Sequence, residues 1–142
     1  MPVYPAPEDI LYHEGTTFTA EWYYSENGAL PALEYYRQLK ESDQLRLDYI
    51  VKYMANNPIG THLPETMYKI EDREHKIYAF KPGAQRFFNF MSMGRKIILT
   101  NAYQKHSNKM ARQDLEKLKI AVHYGMDYQR RLREGTYYEK HA

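Results

Sequence analysis

An α+β fold, with one antiparallel sheet and helices packed against it, is what this sequence predicts, and three observations lead there. Apolar residues at helical spacing fill one stretch before residue 58 and another after residue 106. Aromatic and β-branched runs fill the middle, and the dipeptides Pro82-Gly83 and Met93-Gly94 interrupt it at intervals short enough to imply hairpins. The 142 residues suffice for a single domain with a continuous core.

Pro2, Pro5 and Pro7 precede Gly15 in a segment that predicts an irregular N-terminal arm over 1–15, leaving 16–142 as the single folded domain. Thr16 to Tyr24, rich in β-branched and aromatic residues, predicts an N-terminal strand, and Ser25-Glu26-Asn27-Gly28 a turn. Pro31 suits a helix's first turn, because its missing N–H would be unpaired there anyway; Leu30, Leu33, Tyr36 and Leu39 keep helical spacing through Lys40. Ser42 and Asp43 open a second helix carrying Leu47, Ile50, Val51 and Met54, and Asn57-Pro58 ends it, so the two form a helical hairpin. Strands over Lys76–Lys81, Arg86–Met91 and Lys96–Tyr103 make a three-stranded antiparallel meander that completes the sheet; Met67–Ile70 reads as a further short strand. A C-terminal helix over Ser107–Arg133 follows from Ala111, Leu115, Leu118, Val122 and Met126, with Gly125 marking its end or a break.

Charge is distributed unevenly. Residues 1–66 hold 4 bases against 10 acids, 67–109 hold 9 against 3, and 110–142 hold 7 against 5. Between His75 and Gln113 there is no Asp or Glu, while Lys76, Lys81, Arg86, Arg95, Lys96, Lys105, Lys109 and Arg112 all fall inside, a pattern suited to a polyanion. The absence of Cys excludes disulfides and thiol chemistry and fits a reducing cytoplasm. No basic-plus-apolar leader and no run of about 20 apolar residues is present, so a soluble, cytoplasmic chain is expected. The six His show no i, i+4 pair, which argues against a metal site, and there is no Gly-rich phosphate loop.

Lys81 and Arg86 flank one tight hairpin, which brings two cations to one end of the sheet, and Tyr103, Lys105 and His106 leave the last strand within four residues. Cations can stabilise the charge that builds on a phosphodiester under attack while a phenol or imidazole exchanges protons, so the expected site is the sheet face left open by the helices. Basic residues at strand ends are equally ordinary solvated positions. The pairs Tyr23/Tyr24, Tyr35/Tyr36 and Tyr137/Tyr138 can stack on bases, or divide between core and rim. Arg130-Arg131-Leu132-Arg133 can touch RNA or simply complement a helix C-terminus.

Lys76-Ile-Tyr-Ala-Phe-Lys-Pro-Gly-Ala-Gln-Arg-Phe-Phe-Asn-Phe90, followed by Arg95-Lys-Ile-Ile-Leu-Thr-Asn-Ala-Tyr-Gln-Lys-His-Ser107, resembles the core of RelE/ParE-superfamily toxins, in particular their phage-related HigB-like branch. The resemblance covers roughly residues 16–128 and implies a RelE-like fold. It implies the toxin of a type II toxin-antitoxin pair, a ribosome-dependent mRNA endoribonuclease that needs no cofactor. Its implied partners are mRNA on the ribosome and a cognate antitoxin, commonly a helix-turn-helix protein; a homodimer stays open. Carried over by position, Arg86, Tyr103, Lys105 and His106 are the catalytic candidates, and Lys76, Lys81, Arg95, Lys96, Lys109 and Arg112 the RNA-binding ones. Ile77 and Ala79 stand where some relatives have strand lysines. The alternatives are a non-nucleolytic toxin of the same fold that grips a protein such as DNA gyrase through the hairpin of residues 30–57, and an inactive phage-derived relative that only binds RNA or a partner.

Overall fold

The computed structural model describes residues 4–107 and 109–138. In chain order these form α1 (Pro7–Ile10), β1 (Leu11–Glu14), β2 (Thr19–Trp22), α2 (Pro31–Arg37), α3 (Glu41–Asn56), β3 (Tyr68–Asp72), β4 (Ile77–Phe80), β5 (Gln85–Ser92), β6 (Lys96–Gln104) and α4 (Arg112–Glu134). The fold is α+β, and its six strands lie in the order β1-β2-β6-β5-β4-β3.

The sheet departs from the sequence-based expectation in three ways. It is mixed, because β2 runs parallel to β6 while every other neighbouring pair is antiparallel. A parallel neighbour requires a crossover, and everything from α2 to β5 supplies it here. The meander has four strands, since Tyr68–Asp72 pairs with β4 at the edge. Within the arm predicted to be irregular, residues 7–14 form a helical turn and an edge strand. Asp9 closes the turn by accepting the Ala6 N–H at 3.0 Å, and β1 pairs with β2.

Helices cover both faces, correcting the expectation of one open face. On one side α2 and α3 bring Leu33, Leu47, Ile50, Val51 and Met54 onto Trp22, Phe80, Phe87, Ile97 and Leu99. Trp22 stacks on Tyr12 of the edge strand at 4.2 Å, and the Tyr36 hydroxyl donates to Asp48 at 2.8 Å. On the other side α4 and the residues after it set Ala121, Tyr128 and Tyr137 against Ile77, Phe88, Phe90 and Ile98. α3 starts at Glu41, one residue before the predicted Ser42 cap, and ends at Asn56, with Asn57 stopping it as expected.

α4 runs unbroken through Gly125, and its buried stripe is not the one the apolar spacing picks out. Leu115 and Met126 are exposed, while Asp114, Ala121, Gly125, Tyr128 and Arg131 face inward. Two of these inward residues are charged, and each is paired, which is what makes their burial tolerable. Arg131 donates to the Tyr24 carbonyl and to Asp127, both at 2.8 Å, with its guanidinium 4.5 Å from the Tyr24 ring centre. It is therefore a core strut rather than a free cation. Tyr23 and Tyr24 are both buried, and only in the last pair does one tyrosine, Tyr138, reach the surface.

Candidate functional site

Antiparallel strands reverse every few residues, so the cations of the acid-free segment alternate between opposite ends of the sheet. Lys81, Arg86 and Lys105 fall at one end, where they line a cleft of about 230 Å³ with Lys69, Glu71, Ala79, Phe88, Tyr103 and Met110. Lys76 and Arg95 sit in the turns at the other end, both with a φ of 55°. Lys96 begins β6 at that same end, where it is bound to Glu21 at 3.1 Å and lies 3.7 Å from the Tyr138 ring centre. Lys109 and Arg112 are exposed beside the cleft, the latter paired with Glu116 at 3.3 Å. His106 is exposed just beyond β6 and does not line the cleft.

Tyr103 reaches this cleft because of a bulge. Leu99 belongs to the core under α2 and α3, and in a regular strand Tyr103, four residues on, would point the same way. The β5–β6 register slips between Phe87 and Asn89, so Tyr103 turns to the α4 face, opposite Arg86 and 5.7 Å from the Phe88 ring. Asn101, within the slipped segment, anchors it by donating to the Lys117 carbonyl of α4 at 3.1 Å.

The cleft's charges are locked in place unequally. Asp114, buried at the start of α4, accepts from Lys105 Nζ at 2.7 Å and from the Ala111 N–H at 2.8 Å, with the Tyr103 hydroxyl nearby. Burial alone would raise its pKa, but these donors hold it down at about 2. Burial, reinforced by the Asp114 carboxylate, raises the Tyr103 phenol, which is therefore protonated at neutral pH. Lys105 is thus largely committed to Asp114, whereas among the described residues Arg86 and Lys81 bond only to backbone carbonyls: Arg86 to Gly83 and Gln85, each at 2.8 Å, and Lys81 to Glu65 at 2.9 Å. Burial lowers both pKa values, and for Lys81 the neighbouring Arg86 charge lowers it further. An anion placed between these two cations relieves that repulsion.

Sequence reasoning did not place Lys69 in this cleft or Asp114 behind it, and it read Glu71 as part of a charged turn, Glu71-Asp72-Arg73-Glu74, able to orient His75, whereas Glu71 lines the cleft. Lys69 and Glu71 sit at alternate positions of β3 and so share a face, a signal hidden because the strand expected over Met67–Ile70 in fact runs on to Asp72. Asp114 carries a weaker signal, a carboxylate at the third position of a helix. Among the described residues no group of acidic and histidine side chains is arranged to hold a metal ion, and no helix is long and apolar enough to cross a membrane. Compared with known proteins, the chain matches no protein-family model and no curated protein sequence.

Proposed function

We propose that this chain is an RNA-cleaving toxin of the RelE/ParE kind, acting on mRNA through the cleft at the Lys81–Arg86 end of the sheet. The observation that carries the reading is the convergence of Lys81, Arg86, Glu71 and Tyr103 on one small cavity. Among the described residues two cations there bond to backbone carbonyls rather than to a carboxylate, the Glu71 carboxylate lines the same cavity, and one phenol is held protonated. In the proposed reaction the RNA 2′-oxygen attacks the adjacent phosphorus as Glu71 takes its proton. The bond from phosphorus to the 5′-oxygen breaks, and Tyr103 protonates that leaving oxygen. The products are a 2′,3′-cyclic phosphate and a 5′-hydroxyl. Arg86 and Lys81 stabilise the charge on the phosphoryl oxygens. Lys105, held by Asp114, adds positive charge to the cleft, while His106, just beyond β6, contacts the flanking RNA. In this proposal the proton transfers and charge stabilisation come from side chains of this chain.

The ribosome as the place of action and a helix-turn-helix antitoxin as the neutralising partner follow from the resemblance and belong to the same proposal. Induction of the protein alone should arrest translation, with new mRNA 5′ ends mapping inside translated frames; Arg86→Ala, Glu71→Gln and Tyr103→Phe should each remove those ends. Intact mRNA during growth arrest would overturn the ribonuclease reading. A second reading, a toxin that grips a protein target such as DNA gyrase through the helical hairpin, is favoured by the row of exposed Leu45, Tyr49 and Tyr53 along α3. Under it, Tyr49→Asp would abolish toxicity and Arg86→Ala would not.

A further inference from the structure

A second and larger cleft, of about 510 Å³, lies on the same sheet face, between α4 and the start of β4. Its floor is Ile77 and Phe90, its wall Val122, Gly125 and Met126, and its rim carries His75, His123 and Arg133. The volume falls within the range of small-molecule sites, and the lining combines an apolar slot with a few polar groups at the mouth. Its acids are already neutralised internally: Asp127 accepts from Arg130 and Arg131, and Glu26 from Arg130. His123 and Arg133 have no side-chain partner among the described residues.

Gly125 forms part of the slot's wall. It lies in the interior of a 23-residue helix, where glycine costs about 1 kcal/mol relative to alanine. Packing does not demand it, because an added Cβ would meet Ile77 Cδ1 and the Phe90 ring at 3.7 Å, an ordinary contact. The missing side chain leaves room for a methyl group and lets α4 lie close to the sheet at this point of the wall.

The two clefts are neighbours. Ala79 and Phe88 line the smaller one, and Ile77 and Phe90, two residues along the same strands, line the larger. Two strand residues span about 7 Å, comparable to one nucleotide step of an extended single strand. The geometry points to the α4–β4 cleft as a base-binding subsite, which receives the nucleobase next to the phosphate held at Lys81 and Arg86 and thereby sets the sequence preference of binding. The base lies flat in the slot beside Phe90, and His123 and Arg133 reach its polar edge or the following phosphate. This inference rests on the ribonuclease reading for the location of that phosphate.

The test uses the full chain, ¹⁵N-labelled, titrated with four 2′-O-methyl RNA pentamers, one per base, which bind without being cleaved. Amide shifts should appear at Ile77, Phe90 and residues 122–126 as well as around Arg86, with affinities that differ between bases. His123→Ala, at an exposed position, and Gly125→Met, which fills the slot, should lower the tightest affinity on the order of tenfold and erase the base preference. Arg86→Ala should weaken all four pentamers alike. Shifts confined to the Lys81–Arg86 end, or a base preference that survives both cleft variants, would overturn the subsite and leave the ribonuclease reading standing. Shifts at neither cleft would overturn both. Shifts at the larger cleft alone would support the base site while removing the phosphate role of Lys81 and Arg86.

Discussion

Replacing Asp114 with Asn tests whether the cleft is held in shape by a buried charge. Asn is nearly isosteric with a protonated carboxyl and can still accept from the Ala111 N–H, so the substitution removes the charge and little else. The carboxyl moves from an ordinary 3.8 to about 2 on folding. At neutral pH that difference is worth about 2 kcal/mol of stability. Asp114 is 4% exposed, so solvent screening takes little from this figure. Because the folded value is the lower one, the contribution is fully present above the unfolded value. It fades as pH falls toward the folded one, to about half at pH 3, with most of it gone at pH 2. Urea unfolding of wild type and Asp114→Asn should therefore differ by about 2 kcal/mol at pH 7, and the gap should narrow progressively below pH 4. A gap independent of pH between 7 and 2, or no gap at pH 7, would refute the charge-locking argument, and with it the role given to Asp114 in holding Lys105 beside the cleft.

Three further outcomes follow from specific contacts. Gly15→Ala should destabilise the protein by about 2 kcal/mol in the same unfolding assay, since its Cβ would lie 2.4 Å from the Ala55 carbonyl oxygen. That oxygen cannot retreat easily, because it accepts from the N–H groups of both Thr17 and Phe18. Gly125→Ala should do the opposite, raising stability by about 1 kcal/mol, because the space for a methyl group already exists. Arg86→Ala should weaken single-stranded RNA binding and flatten its dependence on salt, each lost phosphate contact lowering the slope of log affinity against log salt by about 0.7; an unchanged slope would remove Arg86 from the phosphate site.

Much of the architecture was legible in the residues because local chemistry dictates it. Pro31 and Asn57-Pro58 bound the helical hairpin, and Pro82-Gly83 and Met93-Gly94 fold the hairpins of the meander, with φ values of 61° and 78° at Gly83 and Gly94 that suit residues without a Cβ. Lys81, Arg86, Tyr103 and Lys105 were expected near one another, and they line one cleft. The stripe on α4 was misplaced because apolarity was taken as the mark of burial. In this helix Asp114 and Arg131 go inside, each matched by a partner far away in sequence or one turn away, while Leu115 and Met126 remain outside. Edge strand β1 was missed for a related reason. Prolines mark the arm as irregular, whereas the backbone bonds of β1 to β2 and the stacking of Tyr12 on Trp22 depend on a partner that local patterning cannot supply.

The sequence by itself determined the succession of helices and strands from β2 onward, the turns between them and the clustering of positive charge in the second half of the chain. These depend on backbone preferences and on residue order, which act over a few residues. Only the tertiary structure decided which of those charges meet. Strand reversal sends Lys76, Arg95 and Lys96 to one end of the sheet and Lys81, Arg86 and Lys105 to the other, and a single register slip in β6 swings Tyr103 from the α3 side to the α4 side. A strand alternates faces with every residue, so one inserted residue relocates all that follow, and no local preference of those residues records the change.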